Sequence, residues 1–234
     1  MSSHATIAEP EAHGHDGHGH DGHGHHDPNL QHHFAEMEQQ FECSKIGMWL
    51  FLATEVLLFG GLFVGYGLMQ GQHPEAFKSA HHHLDWRMGA LNTIVLLISS
   101  FTMVMAVWSA QTNNQKALVR NLMLTIGCAC TFMVVKYFEY SHKYHEGLLP
   151  GAFFSYTGPH ETFEFVFFSF YFMMTGLHGI HVTAGIVVLS VLLYRAKRGD
   201  YSSAYYTPID LTGLYWHLVD LIWIYLFPLF YLIS

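Results

Sequence analysis

Five stretches of the chain are apolar enough and long enough to cross a bilayer, and polar segments separate them. They run from about Lys45 to Met69, Arg87 to Ala110, Arg120 to Tyr140, Phe163 to Tyr194 and Leu211 to Leu232. About 20 apolar residues suffice for a membrane-spanning helix. The pattern therefore predicts an all-α membrane protein, a bundle of five transmembrane helices. The turn Gln111–Lys116 is short and hydrophilic, so the second and third helices should be antiparallel neighbours. The stretch Gln70–Trp86, with Pro74 and the triplet His81-His82-His83, reads as a loop with solvated histidines. The longest inter-helix loop spans Ser141 to Pro159. Pro228 should bend the end of the last helix.

Residues 1–40 have a different texture. A pentad repeats as His13-Gly14-His15-Asp16-Gly17, His18-Gly19-His20-Asp21-Gly22 and His23-Gly24-His25-His26-Asp27. Such a segment cannot bury a core, so it reads as a disordered tail ahead of a five-helix domain over 41–234. Neutral imidazoles bind Zn, Cu or Ni. His13, His15, His18, His20, His23 and His25 are therefore weak metal candidates beside the plainer reading of a solvated tail.

Charge and composition narrow the class. Only 12% of residues are charged, against roughly 25% in average soluble chains. The net charge of −8 owes much to the first forty-odd residues, and no basic patch marks a nucleic-acid binder. Cys43, Cys128 and Cys130 form no CxxC pair and fit neither a disulfide framework nor a thiolate metal site. No secretory signal is visible. Lys45, Lys116, Arg120, Arg195, Lys197 and Arg198 flank one set of helix ends, and Lys78, Arg87, Lys136 and Lys143 the other. The bias places the N-terminus inside and the C-terminus outside.

The chemistry lies in polar residues within the apolar runs. Glu55 sits near mid-helix, where a bare charge costs at least ~2.5–3.5 kcal/mol. It should be protonated or paired across helices, as a proton-linked carboxyl or as an interhelical hydrogen bond. His178 and His181 share a helix face, with Gly176 and Gly179 expected to admit a close neighbour. Gly61 and Gly65 form a GxxxG packing pair. Lys136 and Glu139 are placed to pair, as are His217 and Asp220. Leu91-Asn92-Thr93 and Ser99-Ser100 supply small polar groups for bonds between helices. Glu164 completes the intramembrane acids. No Glu-x-x-His pair occurs inside the predicted helices, so a di-iron bundle is not indicated. His178-x-x-His181 alone is a weak metal signal.

Several of these motifs, taken together and in order, resemble subunit III of the haem-copper oxidases. They are Gly47-Met48 through Thr54-Glu55-Val56, Leu91-Asn92-Thr93, Phe138-Glu139-Tyr140, Thr175-Gly176-Leu177-His178-Gly179-Ile180-His181-Val182, and Tyr215-Trp216-His217-Leu218-Val219-Asp220. The resemblance covers about Lys45 to Ser234 and not the His-rich tail. It implies the five-helix form of the subunit, lacking two helices of the seven-helix form, one wall of whose lipid cleft those helices build. It implies no catalytic centre in this chain, with haem and copper held by partner subunits I and II, and structural phospholipid bound between helices. It implies a role in stabilising subunit I and in proton uptake during dioxygen reduction. Glu55 matches the family's carbodiimide-reactive carboxyl, and Arg195 a basic residue near lipid headgroups. Glu139, His178, His181, His217 and Asp220 match its buried polar positions. The expected location is a bacterial plasma membrane. A nitric oxide reductase accessory protein would look nearly the same, and a small metal transporter fed by the tail is the alternative from another class.

Overall fold

In an apolar medium every backbone N–H and C=O must be satisfied within its own segment, so a long apolar run becomes a helix. A computed structural model describes residues 36–150 and 161–232, with only the backbone of 161 and 162. Its helices are α1 (Met37–Gln72), α2 (Pro74–His81), α3 (Trp86–Gln111), α4 (Gln115–His145), α5 (Glu161–Arg198) and α6 (Thr207–Tyr231). All but α2 are long and apolar enough to span a membrane. Among the described residues no strand forms; Ser202 and Tyr205 make a lone antiparallel bridge.

The helices outrun the apolar pattern because their ends leave the hydrocarbon and find polar partners. α1 begins at Met37, inside the segment assigned to the tail. Phe41 packs against Tyr206 at 5.9 Å, and Lys45 pairs with Asp210 at 3.3 Å. The repeat itself, with its six candidate histidines, lies outside the described residues. α2 corrects the reading of Gln70–Trp86 as plain loop. Pro74 starts it, and Ala76, Phe77 and Ala80 form its buried face. Eight residues are too few to show a period in sequence. His81 is engaged rather than free: its Nδ1 lies 3.0 Å from the Phe230 carbonyl.

Local caps set the turns. The Asp85 carboxylate accepts from the Arg87 N–H at 2.9 Å, and the Asn114 side chain accepts from the Ala117 N–H at 3.2 Å. Asn113 adopts φ 53°, a left-handed turn that asparagine tolerates. Its amide reaches across to the α5–α6 connection. It donates to the Ser203 hydroxyl at 2.9 Å and accepts from the Ser203 N–H at 2.6 Å. This clasp joins the two turns at one end of the bundle.

α3, α4, α5 and α6 pack in a closed ring of four, with α3 and α4 antiparallel as expected. α1 lies outside the ring, against α5 and α6, and α2 covers α5. The buried residues of α1 are Leu52, Phe59 and Tyr66, seven apart, a narrow seam typical of shallow left-handed crossing. The bundle core contains Met103, Leu122, Ala129, Val182, Leu189 and Trp216. One end is aromatic: Tyr66, Phe77, Phe167 and Phe230 meet edge to face at 5.1–5.9 Å.

The expected close approach at Gly176 and Gly179 occurs elsewhere. A Cβ on Gly179 would meet nothing within 4 Å, and both glycines line an open groove of about 550 Å³ between α4 and α5. The tight contact on α5 is Gly185, where a Cβ would stand 2.5 Å from the Trp216 ring. Of the GxxxG pair, Gly65 lies under Phe170 and Gly61 faces open space.

Candidate functional site

Two polar seams run through this apolar frame. The first joins α1 to α5. Glu55 Oε2 lies 2.8 Å from His181 Nε2, with the side chains 14% and 15% exposed. His181 Nδ1 is 2.8 Å from the Leu177 carbonyl. A carbonyl only accepts, so Nδ1 carries a hydrogen. The Glu55–His181 contact then holds one shared proton, either on the carboxyl facing a neutral imidazole or on the imidazolium facing a carboxylate. Phe59 stands edge-on to the imidazole at 5.5 Å, and the Tyr215 hydroxyl donates to the His181 carbonyl at 2.9 Å. Glu55 is thus paired across helices.

The second seam lies inside the ring. Lys136 and Glu139 on α4 pair at 2.9 Å as their spacing predicts. Tyr171 donates to Glu139 Oε1 at 2.8 Å, and Tyr231 donates to the same oxygen. Lys136 Nζ donates to Tyr231 at 2.9 Å and to Tyr171 at 3.4 Å, and stands 4.6 Å over the Trp223 ring. Tyr140 and Thr175 join at 2.5 Å beside them. A buried charge pair is tolerable only when its remaining donors and acceptors are satisfied, and three helices combine to do so. Sequence reasoning overlooked Tyr171 and Tyr231. The available signal was a tyrosine deep in an apolar run, whose hydroxyl needs a partner.

Further along the bundle, α3 hydroxyls meet α6. Trp223 Nε1 donates to Thr93 at 3.1 Å, Trp216 Nε1 to Ser99 at 3.0 Å, and Ser100 bonds His217 Nδ1 at 2.8 Å. The anticipated His217–Asp220 pair does not form: the i,i+3 offset leaves His217 facing Ser100 across the helices while Asp220 turns inward. His178 is fully buried between Phe132 at 5.4 Å and Trp223 at 5.2 Å. His178 and His181 therefore share a face but serve different neighbours. Glu164 is buried near the start of α5.

α4 is longer than its apolar run, and this brings Glu139 and His142 to Glu-x-x-His spacing on a helix, contrary to expectation. They do not converge. Glu139 points into the core, whereas His142 is 72% exposed and pairs with Glu146 at 3.1 Å. Among the described residues no group of three or more His, Cys, Asp or Glu side chains is placed to hold a metal. The three cysteines are free.

Arg195 stands at the end of α5, 40% exposed, 3.4 Å from Asp200 and 5.4 Å from the Tyr201 ring. Burial pushes the Tyr201 phenol up to about 12, with the guanidinium opposing.

The family model described as cytochrome c oxidase subunit III matches residues 29–234. The chain is 29% identical to cytochrome c oxidase subunit 3 of Thermostichus vulcanus, over 81% of this chain and 87% of the relative. It is likewise 29% identical to cytochrome bo(3) ubiquinol oxidase subunit 3 of Pseudomonas putida, over 81% and 85%. It is 31% identical to the probable cytochrome c oxidase subunit 3 of Rickettsia felis, over 80% and 68%. Five helices long and apolar enough to span a membrane, several of whose intramembrane polar residues pair between helices, thus coincide with a match over nearly the whole chain: it belongs to the subunit III family of the haem-copper oxidases and is a subunit of an oxidoreductase complex.

Proposed function

We propose that this chain is the non-redox-active subunit III of a proton-pumping terminal oxidase in a bacterial plasma membrane, seated beside subunits I and II. Dioxygen reduction takes place at the haem and copper of those partners. This subunit supports subunit I and assists proton uptake. The observation that carries the second role is the Glu55–His181 contact on the outermost helix, a proton-sharing pair with partial exposure. Phospholipid packs in the open grooves, with Arg195 taking an anionic headgroup. The N-terminus faces the cytoplasm. Burial of Lys136 and Lys143 in the bundle supports this, since it leaves Lys78 and Arg87 as the rim cations opposite the larger basic set.

The test is gentle purification of the complex from its native membrane, with a visible spectrum, mass analysis of its subunits and assays on reduced cytochrome c, ubiquinol and nitric oxide. Haem bands, a large multi-helix partner and oxygen consumption with one of the first two donors are expected. A colourless preparation retaining stoichiometric Zn or Ni would overturn the reading in favour of a metal transporter. Turnover of nitric oxide alone would make the chain an accessory subunit of that reductase.

A further inference from the structure

Among the described residues, four buried polar side chains of the ring have atoms with no hydrogen-bond partner in the protein. Glu164 stands apart near the start of α5. The other three lie on neighbouring turns: both amide atoms of Asn92, both ring nitrogens of His178 and both carboxyl oxygens of Asp220 are unpartnered. His178 lies against Phe132 and Trp223. Asp220 is one turn from Trp223 on the buried face of α6, and the Ser100 hydroxyl lies close to its carboxyl. Asn92 adjoins Thr93, which receives the Trp223 indole N–H. Two turns along α3 and α4 from the Ser99–Thr125 contact, Asn92 stands level with Phe132. The three thus lie within about one helical turn of the Phe132–Trp223 ring pair.

Buried polar atoms without protein partners are rare, and a buried water with two to four polar neighbours is the usual partner. An open groove on the outer face of the ring reaches the neighbouring turn of α6. This groove, of about 330 Å³ between α3 and α6, runs from Gln111 and Asp210, at the bundle end closed by the Asn113–Ser203 clasp, past Gly213 to His217. His217 bonds Ser100, and Ser100 lies beside Asp220.

We propose that water enters the ring along the α3–α6 groove and binds between Asn92, His178 and Asp220, with the His217–Ser100 pair at the threshold. This is a hydration site inside the four-helix core, apart from the Glu55–His181 pair on the outer seam. It links Asp220, midway along α6, to the aqueous end of the bundle.

Radiolytic hydroxyl-radical labelling in oxygen-labelled water tests this on the intact complex in its native membrane, because radicals born from bound water mark the side chains beside it. Trp223 and His178 should incorporate label an order of magnitude faster than Phe167 and Phe230, which sit in the aromatic end of the core. Labelling of Trp223 and His178 no faster than those two rings would overturn the site. Val107→Phe, which fills the groove without touching the three polar residues, should lower Trp223 labelling several-fold. His217→Phe should do the same by closing the threshold. Unchanged labelling in both variants would overturn the route.

Discussion

At the scale of single residues, the two seams differ in what a substitution leaves behind. Glu55→Gln keeps a hydrogen-bonding group opposite His181 but ends proton sharing. Assembly should persist, with slowed proton uptake read by stopped-flow pH indicator measurements on the reconstituted oxidase. Glu55→Ala strips His181 Nε2 of its partner and should cost ~1–3 kcal/mol in thermal unfolding of the complex. Lys136→Met is harsher, since it abandons Glu139 as a buried charge, at about 3–5 kcal/mol. Lys136→Met with Glu139→Gln should recover most of that loss in the same assay, because no charge is then stranded. Spacing revealed which residues could pair along one helix, as for Lys136 and Glu139. It was silent on partners from other helices. Tyr171, Tyr231 and the Ser100–His217 bond are set by how helices face each other, and nothing local encodes that.

At the scale of elements, the apolar runs showed where helices lie but understated their length, because caps and ion pairs extend them beyond the hydrocarbon. α2 was hidden for a related reason: its three buried residues carry no full period. Glycine positions were the least legible. A small residue marks a close approach only if a neighbour is there, and Gly185 has Trp216 where Gly179 has open space. Gly185→Ala should therefore force α5 and α6 apart, at ~1–3 kcal/mol of overpacking, whereas Gly179→Ala should be nearly neutral. Comparing the two melting temperatures in the assembled complex checks this contrast.

At the scale of the molecule, the ring of four and the outlying α1 divide the labour. The ring buries its polar groups on all sides, while α1 rests on a seam of Leu52, Phe59 and Tyr66 with one proton-sharing pair at its middle. Hydrogen exchange on the complex should show α1 amides exchanging faster than those of α3 when the partner subunits are stripped away. Equal protection would mean that α1 is held as firmly as the ring.

The bonds that α6 makes to α3 carry a consequence for synthesis. Thr93, Ser99 and Ser100 are made before their partners Trp223, Trp216 and His217, which arrive with α6. Lys136 likewise waits for Tyr231. Until α6 arrives the Thr93 and Ser99 hydroxyls, donating to Gly89 and Thr125 carbonyls, receive no indole N–H, and Lys136 holds only Glu139 and Tyr171. The ring of four therefore closes only when α6 docks, and a chain halted before Thr207 should be left with α3 and α5 unjoined on that side.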